Sequence, residues 1–190
     1  MKIATDCRLA LPGWAKGWMA QREDRFADDS SAMTCAIAMA RENVRQETGG
    51  PFAALVIGTD SGRLLSAGVN VVVDTHLSIA HAEIMAISLA EEYLHDWNLA
   101  RHGSLTLVST CEPCAMCYGA LPWSGIQRLV YGSEREDAER AGFDEGEKPG
   151  DWKTALERRS IEVRGGVLRG QANMLFALYR DSNGELYNPA

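Results

Sequence analysis

His81-Ala82-Glu83, followed one strand and one turn later by Pro113-Cys114-Ala115-Met116-Cys117, constrains this chain more than any other feature. His81, Cys114 and Cys117 are zinc-binding side chains. A catalytic zinc site takes three such N or S ligands and leaves the fourth tetrahedral position to water. Coordination lowers the pKa of that water from about 15.7 to about 7. To share one ion, the two segments must begin side by side. Cys114 and Cys117, at i and i+3, share a helix face, and Pro113 at a first turn gives up no needed donor. Glu83 diverges from His81 on a helix, so it can reach the water without binding the metal. Two helix N-termini aimed at one point favour thiolate over thiol and carboxylate over acid.

Taken alone, Cys114-x-x-Cys117 also fits a redox pair, half of a structural zinc site, or two buried thiols. A structural site needs a closed fourth position. Cys111, on the strand side of Pro113, is the thiolate available for it, whereas His76, His95 and His102 stand in no ligand spacing and read as surface or locally bonded. A structural site gains nothing from Glu83. The pattern H-x-E followed by P-C-x-x-C matches the signature of zinc deaminases, so the expected site is catalytic, with Zn2+ as cofactor and Glu83 as proton shuttle.

The 190 residues, 46% hydrophobic and 24% charged, suit one soluble globular domain. That deaminase domain is expected over 31–190. Residues 1–30, with Trp14 and Trp18 among glycines and polar residues, show no sustained period and read as an irregular N-terminal arm. A formal charge of −7, from 26 acidic against 19 basic side chains, argues against a large nucleic-acid partner, because polyanions are held by lysine and arginine. Arg158, Arg159, Arg164 and Arg169 are interrupted by Glu157 and Glu162 and read as a solvated face. Three of the five cysteines crowd between 111 and 117, which is no disulfide framework. Met1 to Asp6 lacks the start of a secretory signal and no apolar run could span a bilayer, so a cytoplasmic protein is expected, without membrane contact.

Ser31 reads as the cap of a helix carrying Met33, Ile37, Ala40 and Val44, stopped at Thr48-Gly49-Gly50-Pro51. Phe52 to Gly58 and Arg63 to Asn70 flank Thr59-Asp60-Ser61-Gly62 as an antiparallel hairpin. Residues 80–95, apolar almost all round, predict a buried helix. Leu105 to Ser109, Arg128 to Gly132 and Ile161 to Val167 read as strands. Cys114 to Trp123, Glu134 to Arg140, Asp151 to Arg159 and Gln171 to Arg180 read as helices, the first with both cysteines in its opening turn. Alternating strands and helices predict a mainly parallel sheet covered on both faces.

The chain resembles the cytidine-deaminase-like superfamily, and within it the bacterial guanine deaminases. The likeness runs from Ala32 to Asn188 and rests on Gly50-Pro51-Phe52-Ala53-Ala54, Gly68-Val69-Asn70, Ala80 to Ala86, Ser109 to Ala120 and Trp123-Ser124-Gly125. Above all it rests on Ala141-Gly142-Phe143-Asp144-Glu145-Gly146. The resemblance implies an α/β fold, a three-layer α/β/α sandwich with a five-stranded mixed sheet. It implies hydrolysis of guanine to xanthine and ammonia, with tRNA adenosine, cytosine, guanosine or an amino-triazine as alternative substrates. A second carboxylate, Glu145 with Asp144 as fallback, is expected near the departing amine. Asn70 is expected to bond a polar edge of the purine, with Phe52, Ala82 and Trp123 lining the pocket. Family members pair as homodimers, some exchanging the C-terminal segment over the partner's site, which makes Tyr187 a candidate lid residue. Val71 stands where many relatives carry Arg and Ala115 where Pro is common, while Pro122 is expected to interrupt the helix that bears Trp123.

Overall fold

The computed structural model describes residues 3–188. Two apolar segments of period two form the hairpin β1 (Ala53–Gly58) and β2 (Leu64–Val69), paired antiparallel with Ala53 opposite Val69. Gly62 closes the turn at φ +63°, where a Cβ would stand 2.0 Å from the Phe26 carbonyl oxygen. β3 (Leu105–Cys111) pairs antiparallel with β1; β4 (Arg128–Ser133) and β5 (Glu162–Arg164) then add in parallel. The order is β2-β1-β3-β4-β5. The sheet is therefore mixed: half of its pairings are antiparallel, because β1 alone runs against the rest.

Alternation along the strands splits the core in two. Leu55, Ile57, Val108 and Val130 face one layer, with Met33, Ile37 and Ala40 of α2 (Asp29–Arg45) and Leu175 of α8 (Arg169–Asp181). Ala54, Val56, Leu107 and Leu129 face the other, with Ala86 and Ala90 of α4 (Ala82–Leu94), Leu121 of α5 (Ala115–Ser124) and Leu156 of α7 (Trp152–Glu157). This is the three-layer sandwich. Four shorter segments complete it: α1 (Gly13–Met19), α3 (Val72–Thr75), a 3-10 turn at Leu99–His102 and α6 (Arg135–Arg140).

Several local expectations give way. Residues 1–30 are not wholly irregular: α1 buries Ala15, and Trp14 and Trp18 meet edge to face against the first core layer. α2 is capped by Asp28, with Ser31 three residues inside; Asp28 Oδ1 accepts from the Ser31 N–H, and the Ser31 hydroxyl accepts in return. α4 is buried on one side only, since Glu92 and Tyr93 face solvent. Pro122 lies in α5 without ending it. Among the described residues, no helix is long and apolar enough to cross a membrane.

Candidate active site

Because β1 alone is reversed, β2, β3, β4 and β5 all point the same way, and the segments that follow them leave from one sheet edge. Ligands in open α/β sheets gather at such carboxyl ends. Asn70 follows β2, Cys111 ends β3, and Phe52 enters β1 at the same edge. Together with His81, Glu83, Glu112, Cys114, Phe143, Asp144, Glu145 and Tyr187 they line a small cavity.

His81 and Cys114 are the N-cap residues of α4 and α5, and neither side chain caps its own helix. Cys114 thus stands just outside the first turn expected to contain it, and Cys117 is the third helical residue. N-cap and third positions face each other, which is why one intervening pair of residues suffices. Cys114 Sγ lies 3.5 Å from His81 Nδ1, and the ligand atoms of His81, Cys114 and Cys117 all lie within 4.8 Å of one another. Tetrahedral bonds of about 2.1 Å to N and 2.3 Å to S would set such a pair about 3.6 Å apart. The residues fit zinc. A hydrogen bond from Cys117, offset by burial and helped by His81, holds the Cys114 thiol down at about 4, whereas Cys117, bonded to Cys114 and buried, is raised well above the usual thiol range. Cys114 therefore ionises first.

Glu83 is the second residue of α4 and is buried. Its Oε1 accepts from the Ser109 hydroxyl at 3.0 Å and its Oε2 from the Cys117 thiol at 3.4 Å. With Cys117 a thiolate ligand, the second bond is gone and Oε2 is free. Burial, then the Cys114 thiolate, raises the Glu83 pKa. Glu145 is also buried, and its carboxyl is pushed up to about 8 by burial, then by Cys114 and Glu83. A dication among these groups opposes both shifts. Asp144 lines the cavity from an exposed position, its Oδ1 turned back to accept from the Gly146 N–H at 2.9 Å.

Asn70 is buried with its amide orientation set: Oδ1 accepts from Gly50 and Val72 N–H at 3.4 and 3.3 Å, so Nδ2 is the group left to offer. That Nδ2 donates to the Tyr187 hydroxyl at 2.8 Å. Tyr187 lies over its own chain's site, edge-on to His81, and Asn188 clips it down by donating to the Gly142 carbonyl at 2.7 Å. Phe52 meets Phe143 edge-on at 4.9 Å, forming one apolar wall.

Two expected pocket residues are not brought in. Trp123, at the end of α5, is 81% exposed, because the helix carries it away from the sheet edge. Ala82 has no exposed surface and packs into the second core layer, outside the cavity lining. Others went unforeseen. Phe143 and Glu112 reach the cavity, and Cys111 lines it without joining the ligand cluster. Asn43 of α2, fully buried, donates to the Asn70 and Gly50 carbonyls at 2.8 and 3.0 Å. It accepts from Thr48, which accepts in turn from Trp14 of α1. Its signal was there to read: a lone asparagine in the apolar stripe between Ala40 and Val44.

The sequence model of the cytidine and deoxycytidylate deaminase zinc-binding region matches residues 27–133. The guanine deaminase of Bacillus subtilis is 36% identical over 110 residues, 58% of this chain and 67% of that protein. A tRNA-specific adenosine deaminase of Buchnera aphidicola is 33% identical over 113 residues, 59% of this chain and 65% of that protein. The alignments thus span about two thirds of these relatives' length. Structural likeness extends further. The guanine deaminase of Nitrosomonas europaea superposes with a TM-score of 0.86 at 38% identity, covering 96% of this chain and 99% of that one. A structure of NE0047 in complex with 2,6-diaminopurine gives 0.88 at 41%, covering 95% and 96%. With the His81, Cys114 and Cys117 cluster and Glu83 beside it, the chain belongs to the cytidine and deoxycytidylate deaminase family of zinc-dependent enzymes.

Proposed function

We propose that this enzyme is a guanine deaminase, hydrolysing guanine to xanthine and ammonia. The observation that carries the reading is a second buried carboxylate, Glu145, lining the same cavity as Glu83 and the ligand set. Near full-length likeness to the Nitrosomonas enzyme, and to NE0047 structures holding 2,6-diaminopurine or 8-azaguanine, supports a free aminopurine as substrate.

Zinc, when bound, supplies Lewis-acid activation of the hydrolytic water. The chain's own groups do the rest. Glu83 Oε2, freed as above and with Oε1 held by Ser109, takes a proton from the water and delivers it to the ring nitrogen beside C2. The exocyclic amine leaves well only once protonated, and Glu145, buried in the same cavity as Glu83, is the group to protonate it. Asn70 Nδ2 donates to an acceptor on the purine edge. Phe52 and Phe143 cover a ring face, and Tyr187 closes the cavity against water. A thiolate ligand set suits a reducing compartment such as the cytoplasm.

The test is an ammonia-release screen over guanine, guanosine, adenine, cytosine and cytidine, in which guanine should give the highest kcat/KM. Glu145→Gln should lower kcat for guanine with little change in zinc content or KM, the mark of an interaction made mainly in the transition state. Asp144→Asn should be milder, since its carboxylate is occupied by the Gly146 N–H. Parent rates in both variants would leave a zinc deaminase of another base.

Affinity for tRNA should be weak and nonspecific at physiological salt. Arg158, Arg164 and Arg169, read above as a solvated face, are each paired with a carboxylate, Asp151, Asp29 and Asp137 respectively, the last two shared with Arg128 and Arg140. Nanomolar tRNA binding or inosine formation in an anticodon loop would favour the adenosine reading. Pairing of two copies belongs to the same proposal. Trp123 and Met116, both exposed on α5, are side chains that a second copy would cover. Sedimentation equilibrium should give twice the chain mass, and a monomer at micromolar concentration would count against it.

A further inference from the structure

Lys148 has no part in the mechanism above, yet its side chain is 1% exposed. It lies three residues after Glu145. Its Nζ donates to the Pro113 carbonyl at 2.6 Å and pairs at 2.5 Å with Glu112, itself 5% exposed, while the Trp152 ring stands 4.8 Å away. Glu112 and Pro113 are the two residues immediately before Cys114. On the other side of that ligand, the Ala115 N–H donates to the Glu145 carbonyl at 2.9 Å.

The loop and the metal-ligand turn are thus stitched together twice. Only Gly146 and Glu147 separate the two stitches. Gly146 adopts φ +65°, and a Cβ there would come 3.0 Å from the Ala115 side chain, so the approach leaves no slack. Burying an ammonium and a carboxylate is an expensive way to staple a loop, since apolar residues of similar volume often do that as well or better. What an ion pair adds is direction. Glu112 fixes where Nζ stands, and Nζ fixes the carbonyl that precedes Cys114.

We propose that Lys148, held by Glu112, is a positioning residue for Glu145, setting its carboxyl against the Cys114 turn and the Glu83 carboxylate. This rests on the role given to Glu145 above. A loop displaced by about 1 Å is enough to cost on the order of a hundredfold in rate.

The test compares zinc-loaded parent enzyme, Lys148→Met, Lys148→Arg and the charge-free pair Glu112→Gln/Lys148→Met, each also carrying Glu145→Gln. Guanine kcat and KM, zinc content and Tm are measured. The charge-free pair leaves no uncompensated buried ion, so it keeps the experiment informative if Lys148→Met alone fails to fold. It should hold one zinc per chain and keep KM within about twofold while kcat falls at least about tenfold. With Glu145 already Gln, the same pair should change kcat by less than about twofold, because the group it aims is gone. Lys148→Arg should retain more of kcat than Lys148→Met. Parent kcat in the charge-free pair, or an equal loss in both backgrounds, overturns the proposal and leaves the ion pair a staple. Failure of the underlying reading looks different: Glu145→Gln alone would then run at the parent rate, and the Lys148 assignment would fall with it.

Discussion

Glu83→Gln should keep one zinc per chain while kcat drops at least about a hundredfold, the usual scale for a lost general acid/base. Glutamine has nearly the shape of glutamate, and its Oε1 can still accept from Ser109, so the start of α4 and the place of His81 are preserved. What disappears is the acceptor at Oε2, which an amide nitrogen cannot replace. The effect belongs in kcat, because the proton is in flight only in the transition state. Metal analysis beside steady-state kinetics decides it. Zinc loss on this substitution would make Glu83 a ligand and refute its role as the proton carrier.

Cys117→Ser should have the larger effect, removing zinc and more than about a thousandfold of activity, since the general base alone is worth 10²–10⁴ and would have no activated water to act on. Cys117 is buried at the third residue of α5, and a hydroxyl there is a poor zinc ligand that adds a polar group to an enclosed position. Cys111→Ser is the informative companion. Cys111 lies outside the ligand cluster, so zinc content should be unchanged; parallel metal loss in both variants would revive a closed four-ligand structural site. Metal retention in the parent should also fall with pH, because ligands must be deprotonated to bind. Cys114 gives up its proton low, near 4, so the raised thiol of Cys117 governs the release. Zinc affinity therefore rises with pH, and titration against a chromophoric chelator measures it.

The zinc ligands and the nonligating carboxylate were legible because chemistry at short spacing is local, whereas the second carboxylate was implied only by the resemblance of Ala141 to Gly146 to the guanine deaminases. Residues i and i+3 on one helix turn, or a ligand and its neighbour but one, meet in nearly any context that starts a helix there. The same holds for the α2 repeat and for the hairpin turn at Gly62. Boundaries slipped by one to three residues where two adjacent groups could each cap, as at Asp28 and Ser31.

What composition and period could not supply was the direction of β1 against β3, although the turn at Thr59 to Gly62 already gave its antiparallel pairing with β2. That β1 opposes all its partners, making the sheet mixed, depends on which strands pair across the chain, and alternation in Ala53–Gly58 reads the same either way. Yet that reversal delivers Asn70, the Cys114 turn and the Glu145 loop to one edge.

Trp123 shows the same limit in one side chain: a tryptophan six residues beyond a ligand looks like a pocket wall until the axis of α5 is known, and it is then 81% exposed. Asn43 and Lys148 show the converse. Each is an ordinary residue by sequence, made significant by partners 27 and 35 positions away. The sequence by itself pointed to the metal, its ligands and the carboxylate of Glu83, because His81 with Glu83 and Cys114 with Cys117 are residue types that act together at short separation, while Glu145 entered through the family resemblance. Only the tertiary structure decided which side chains stand around them, because long-range hydrogen bonds and buried charges exist only once distant segments are packed together.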